Sequence, residues 1–475
     1  MQNKLKVLFF AIMAMVVVSS CSSGNSKKES GQATFKANLN GGAGAQVMVW
    51  DMDPFNNNYD TLKVDGSGNF VISKDLKKPS YFNIVVPDSR TSFTIYLVPG
   101  DTLFMEAEMS NIFDTQKFSG NAAVENNYIA SYIKSSNNFQ RGLQVVFSKE
   151  EPIAVKAMDS IRDVKQKAFD ELNKNSDLGV DFANMEQSRI LYEWALLHSV
   201  YPMYYRYYRK VDKFQPSATY DNYLGACDLN NSSLLTLDMY KMFLSTYIGV
   251  LMEDYYGKEK LMKENPSEVL YRLQLIDKIF SDKDVKALLA YETVKGQVKQ
   301  QGIKEYDLYI DTFNELCSNE KLRGEIEEMV SEWKHLKKGA DAFEFTFVDM
   351  EGRKVSMSDF KGKYVYVDVW ATWCSPCRAE IPHLKRIEED FHGKNIVFIS
   401  VSVDQTQDPW KEMVEKDNLG GIQLWAGIAP KFSEFYKITG IPRFMLFDKE
   451  GKIIESNAAR PSGGIDKQIA ELDGI

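Results

Sequence analysis

Tyr364 to Trp370 is an apolar run broken by a single aspartate. The run Trp373-Cys374-Ser375-Pro376-Cys377-Arg378 follows almost at once. A short, continuous, β-branched and aromatic stretch reads as a buried strand, and the proline after it suits the first turn of a helix. The chain is thus predicted to pass from a central strand into a helix with two thiols at the junction. Two cysteines separated by two residues can close and reopen a small disulfide ring. Cys374 would lie at the helix N-terminus, where unpaired N–H groups and the macrodipole favour its thiolate. Half of a zinc site and an inert structural disulfide are the competing readings. No second Cys-x-x-Cys or Cys/His pair follows at finger spacing, so redox chemistry is the favoured one.

The size of the thiolate effect can be bounded. A thiol with a pKa of about 8.5 is roughly 3% ionised at pH 7, and one lowered to about 7 is half ionised. Nucleophilicity falls with pKa, so a gain of roughly 16-fold in thiolate becomes about 3-fold in attack rate. A lowered pKa therefore helps Cys374 more as a leaving group than as a nucleophile.

Asp368 lies inside the apolar run, six residues before Cys374. A carboxyl buried mid-strand must be paired or hold its proton at a raised pKa. Its expected use is proton transfer for Cys377; structural pairing with a lysine is the alternative. Glu380, three residues after Cys377 on the same helical face, is a second relay candidate or else a solvated helix residue. Pro382 is expected to kink that helix. Further on, Gly440-Ile441-Pro442 precedes a strand at Arg443–Phe447. Asp448-Lys449-Glu450-Gly451 then turns the chain into Lys452–Glu455, which reads as a hairpin.

These pieces carry a resemblance. Residues 343–475 resemble the thioredoxin-fold domain of the TlpA/ResA family of membrane-tethered bacterial thiol-disulfide oxidoreductases. The matching segments are Trp370-Ala371-Thr372-Trp373-Cys374-Ser375-Pro376-Cys377-Arg378-Ala379-Glu380-Ile381-Pro382, the preceding Phe360-Lys361-Gly362-Lys363, and Gly440-Ile441-Pro442. The resemblance implies that Cys374 is the exposed attacking thiol and Cys377 the buried resolving one. It implies a cis Pro442 packed against the disulfide, with the backbone at Ile441 receiving substrate as an added strand. Trp373 and Pro376 would border the substrate. Asp368 matches the buried acid of thioredoxin and Glu380 the acid typical of the ResA branch. Ser375 departs from the usual filler, so no reduction potential carries over.

The N-terminus addresses the compartment. Lys4 and Lys6 precede an apolar core, Leu5 to Val18, too short for an ordinary membrane span. Val18-Ser19-Ser20-Cys21 resembles a bacterial lipobox, which implies cleavage before Cys21 and lipidation of that residue. A plain secretory signal is the alternative. Multiple acyl chains on one residue anchor stably where a single chain is marginal. Ser22 to Gln32 is small and polar, as a flexible tether should be. Ser22 after the lipidated cysteine leans the localisation toward the outer membrane of a Gram-negative envelope, facing the periplasm.

A net charge of −9 with no basic cluster argues against nucleic acid. Five cysteines in 475 residues are too few for a disulfide scaffold. Cys227 and Cys317 remain after the anchor and the redox pair, and are expected as two buried thiols rather than a bridge. His198 and His335 lack companions at ligand spacing, and no metal or cofactor is expected.

The fold expected is multidomain: a C-terminal α/β thioredoxin fold at 341–475, preceded by a small β-sandwich-like domain at 33–120 and an all-α region at 121–340. Residues 1–20 are the signal and 21–32 the tether. Alternation in Ala33–Leu39 and Gln46–Trp50, the turn Asp65–Asn69, and apolar runs at Tyr81–Val86 and Phe93–Val98 carry the β reading. Trp50 is expected in the core. Three- and four-residue apolar spacing in Ile153–Leu172 and Ser267–Ile279 carries the helical one. The aromatic patch Tyr201–Arg209 is expected to pack between helices or on the β-domain, and Glu325–Lys338 to be a solvated helix. The function expected is a lipid-anchored periplasmic reductase of protein disulfides, supplied by a membrane thiol donor of the DsbD kind. An oxidase or isomerase with the same site is the nearest alternative. An envelope binding lipoprotein with an accessory redox domain is the other.

Overall fold

The computed structural model of the chain describes residues 31–56, 59–140, 142–264 and 267–475. The signal segment, the lipobox and Cys21 lie outside the described residues. Gly31 and Gln32, expected in the tether, instead pair with Leu76 and Asp75 as the start of the first strand.

Eight strands come first: β1 (Gly31–Asn40), β2 (Gln46–Asp51), β3 (Tyr59–Lys63), β4 (Asn69–Leu76), β5 (Ser80–Val86), β6 (Thr91–Leu97), β7 (Thr102–Glu108) and β8 (Lys117–Gly120). They form two four-stranded sheets, ordered β4-β1-β7-β8 and β3-β2-β5-β6. Alternate residues of both sheets, among them Phe35, Leu39, Val47, Val49, Ile84, Ile95, Leu103 and Met105, meet in one core. Two sheets sharing one apolar interior make the expected sandwich. Period-two alternation puts Val47 and Val49 inside, which turns Trp50 outward. Trp50 is therefore half-buried and stacked on Tyr59 at 4.6 Å, not part of that core as expected.

α1 (Ile112–Thr115) lies between β7 and β8, and the other helices follow: α2 (Ala123–Gln140), α3 (Leu143–Phe147), α4 (Glu151–Asn175), α5 (Val180–Arg209), α6 (Asp238–Glu264), α7 (Glu268–Ile279), α8 (Lys283–Gln301), α9 (Tyr306–Leu316) and α10 (Glu320–Ser331). Ser267 caps α7 by accepting from the Leu270 N–H, as a helix-start serine should. The aromatic patch divides. Tyr201 and Tyr205 are buried, with hydroxyls donating to Lys149 O and the Glu150 carboxylate, while Tyr207 faces solvent. His198 sits among Trp194, Tyr220 and Tyr223 as an ordinary buried ring, its pKa lowered to about 4 by burial. No disulfide joins Cys227 to Cys317; both remain thiols. Cys317 is buried, whereas Cys227 is only half-buried. Residues 325–338 are not a solvated helix. Ile326 and Val330 are buried, α10 ends at Ser331, and Trp333 and Leu336 are buried beyond it. Among the described residues no helix is long and apolar enough to cross a membrane.

The chain separates into two compact units, residues up to Tyr291 with Leu308–Leu322, and Glu292–Asp307 with Arg323–Ile475. The second unit holds β9 (Thr346–Val348), β10 (Lys354–Ser356), β11 (Tyr364–Trp370), β12 (Ile396–Ser402), β13 (Ile422–Trp425), β14 (Arg443–Phe447) and β15 (Ile453–Glu455). Its sheet runs β10-β9-β13-β12-β11-β14-β15. β11, β12 and β13 are parallel, and β14 joins β11 antiparallel before the hairpin to β15. Helices α11 (Ser375–Asp390), α12 (Gln407–Lys416), α13 (Pro430–Phe435) and α14 (Ile465–Ala470) complete the thioredoxin fold. β11 is buried along its whole length, as its near-continuous apolar sequence requires of a central strand. Tyr364 and Tyr366 pack against Leu384 and Ile387 of α11, together with Phe444 and Leu446.

Two further segments complete this unit. Gly339 N–H donates to Ile453 O and Ile453 N–H returns to Ala340 O, both at 2.8 Å, so residues 339–342 lie along β15. The last turn of α8 reaches the same side. Asn457 Nδ2 donates to Gln300 O and to Gln301 Oε1, and Lys304 pairs with Glu455. α8 ends on Gly302 at φ 68°, where a Cβ would lie 2.5 Å from the Trp333 ring.

Candidate functional site

The two cysteines sit where β11 gives way to α11. Cys374 is the N-cap of α11, and its sulfur accepts from the Cys377 N–H at 3.1 Å. Pro376 occupies the first turn, where its missing N–H costs nothing. The sulfurs are joined in a disulfide with Cα atoms 5.3 Å apart. α11 continues unbroken through Pro382.

Exposure does not separate the two thiols as the resemblance implied. In the disulfide Cys374 is 4% exposed and Cys377 3%. Position separates them instead, because Cys374 alone stands at the cap facing the helix N–H groups. Around the pair, Trp370, Ala371, Trp410 and Val414 are buried and Ile441 packs against them. Trp373 is 69% exposed beside the pair, and Ser375 and Pro376 are exposed as well. The Ile441–Pro442 peptide is cis. The structure therefore brings Trp373, Pro376 and Ile441 to the rim or wall of the disulfide, with Pro442 immediately before β14.

The two acids differ in environment. Asp368 projects on the same face of β11 as Tyr364 and Tyr366, toward α11. It is buried, and burial, then the negative charges of Glu380 and Glu388, push its pKa up to about 8. Its strand neighbours are Ser400 and Phe444, and it has no lysine partner among the described ion pairs, so the pairing alternative does not hold. Glu380 is buried too, not a solvated helix residue. Its carboxylate accepts from the Ser462 N–H at 3.0 Å and hydroxyl at 2.9 Å, and Arg460 approaches to 3.9 Å.

Three contributors escaped the sequence reading. Ser462 anchors Glu380 across 82 residues, a pairing no local pattern announces. Glu388, two turns beyond Glu380, has its pKa raised to about 7 by burial; Gly420 and Gly421 leave the room it fills. Asp404, just past the end of β12, is buried and binds the segment ahead of Cys374 through Thr372. The one available signal was a lone acid closing the apolar strand 396–403, the same pattern that drew notice to Asp368. The described residues contain no group of His, Cys, Asp and Glu placed to hold a metal ion.

Comparison with known proteins bears on the same part of the chain. A Redoxin family model matches residues 337–472. The thiol-disulfide oxidoreductase ResA of a Bacillus cereus strain is 31% identical over 117 residues, covering 25% of this chain and 67% of that protein. ResA of Bacillus subtilis is 24% identical over 120 residues, covering 25% and 66%. Among solved structures, the thioredoxin domain of a thiol-disulfide oxidoreductase from Bacteroides vulgatus is 35% identical. That match covers 29% of this chain and 97% of that one, with a TM-score of 0.27.

Proposed function

Because the chain belongs to the thiol-disulfide oxidoreductases related to ResA, we propose that Cys374 and Cys377 are its exchanging pair and that it works as a reductase of protein disulfides. The observation that carries this is the disulfide at the N-terminus of α11, with Cys374 as the capping residue.

In the forward reaction the Cys374 thiolate attacks one sulfur of a client disulfide. The client S–S bond breaks, a Cys374–client bond forms, and the other client sulfur leaves as a thiolate that takes a proton. Cys377 then gives its proton to Asp368 in its ionised form, the minor one at neutral pH, and attacks Cys374 Sγ; the second client sulfur leaves as a thiolate and takes a proton from water. The client gains two electrons and two protons, and the enzyme is left as the disulfide. In the return step a thiol donor opens that disulfide. Asp368, which holds its proton at neutral pH because burial raises its pKa to about 8, protonates Cys377 as it leaves. Trp373 and Pro376 border the client, and the backbone at Ile441 receives it as an added strand. Lipidation at Cys21, an anchored position facing the periplasm, an outer-membrane lean and a membrane donor of the DsbD kind complete the reading. They rest on the lipobox and on the family.

Cys377→Ser should trap clients as mixed disulfides on Cys374 in cells, and redox titration of the unsubstituted protein should give a potential of about −200 to −300 mV. A potential near −120 mV, with no trapped clients, would replace the reductase by an oxidase.

A further inference from the structure

Asp404 joins three strand ends. Its carboxylate accepts from the Thr372 N–H at 3.0 and 3.2 Å, from the Thr372 hydroxyl at 2.7 Å and from the Ser402 hydroxyl at 2.8 Å. Its backbone carbonyl accepts from Trp425 Nε1 at 2.8 Å. Thr372 belongs to the turn after β11, Ser402 ends β12, and Trp425 ends β13. All three strands run parallel and finish at the edge of the sheet where the disulfide lies. The ladder itself supplies one more tie, Val403 N–H to Trp370 O at 2.9 Å. Helix α11 holds Cys374 through the disulfide, the Cys377 N–H and the Arg378 N–H, and Asp404 holds Thr372. Within the turn, the Cys374 N–H donates to Ala371 O at 3.0 Å.

A carboxylate only 3% exposed and with no cation among its described hydrogen-bond partners is costly in bulk energetic terms. Three donors offset that cost, and two of them, the hydroxyl and an N–H shared between both oxygens, belong to Thr372, two positions before Cys374. The arrangement is what a preorganised nucleophile requires, since a shift of about 1 Å in the attacking atom can slow a reaction by about 100-fold.

We propose that Asp404 is a positioning residue for disulfide exchange, holding the turn Ala371–Cys374 through Thr372 so that the Cys374 sulfur stays at the cap of α11. The proposal rests on Cys374 being the attacking thiol. It adds a residue 30 positions away in sequence to the machinery of that thiol.

The test uses the full chain, reduced and freed of reductant, reacting with 5,5′-dithiobis(2-nitrobenzoate) in a stopped-flow instrument. The small disulfide needs no client docking. Cys374→Ser should abolish the fast phase, which assigns that phase; if the fast phase survives, the exchange-pair reading fails independently of Asp404. Asp404→Ala should slow the fast phase by about tenfold, and Thr372→Val by about threefold. Asp404→Asn, whose amide oxygen still accepts from Thr372, should recover most of the rate. The double variant Asp404→Ala, Thr372→Val should be no slower than Asp404→Ala alone, because both remove one grip. Additive losses, an Asp404→Asn as slow as the alanine, or an unchanged rate at equal folded fraction would each overturn the proposal. Should Asp404→Ala fail to fold, the Thr372→Val and Asp404→Asn rates still decide it.

Discussion

Two buried acids sit on the strand and the helix that meet at the Cys374–Cys377 disulfide, and their partners differ. Glu380 has both oxygens occupied by Ser462 donors, which suits a carboxylate that stays where it is. Asp368 has one oxygen that meets no donor among the described residues, and its pKa is raised to about 8. Asp368→Asn is therefore expected to slow resolution of the mixed disulfide by about 100-fold, and Glu380→Gln by distinctly less. Stopped-flow measurement of both steps checks the order, and the reverse ranking would make Glu380 the relay. Stability should move the opposite way. Between about pH 4 and pH 8 the unfolded chain has Asp368 ionised while the folded chain keeps it protonated, so folding takes up a proton. Stability then falls as pH rises through that window and levels off above pH 8. Asp368→Asn removes the penalty, so urea unfolding should show the variant roughly 5 kcal/mol more stable than its parent at pH 9 and nearly equal at pH 4. A constant difference across that range would mean that Asp368 does not titrate as its burial demands.

At the scale of single elements, sequence patterns served best where one strand or helix buries a clear face. β11 and the start of α11 were legible because one is a near-continuous apolar run and the other opens on a cap and a first-turn proline, both local rules. β7 was missed, although Leu103, Met105 and Ala107 alternate inward, since Met, Ala and Glu are helix formers and its partner β1 is parallel and distant. β8, four residues with only Phe118 buried, is too short to carry a period. α10 read as solvated because its charges hide Leu322, Ile326 and Val330, three buried residues at four-residue spacing. The grip of Asp404 on Thr372 spans 32 positions and exists only once β11 and β12 are side by side. Gly302 was equally silent. It ends α8 in the left-handed region, directly against Trp333. Gly302→Ala should therefore cost about 1–3 kcal/mol in denaturant unfolding, from strain and collision together. A change below about 0.5 kcal/mol would mean that the Trp333 ring yields.

On the scale of the molecule, the redox unit is larger than its sequence motif. It takes in Glu292–Asp307 as well as Arg323–Ile475, and the earlier segment is tied to β15 and its following loop by Lys304, Gln300 and Gln301. Residues 339–342 lie along β15 by backbone hydrogen bonds, with Asp341 also paired to Lys452. That strip has a consequence for solubility. A seven-stranded sheet has two open margins, and an uncovered one is a template for pairing with another chain. β15 is covered by the protein's own connecting segment. A fragment beginning at Phe343 would uncover it, and sedimentation should find that fragment self-associating where one beginning at Glu292 stays monomeric. The linker is in this sense a gatekeeper against aggregation, guarding a flank that the catalytic chemistry never touches.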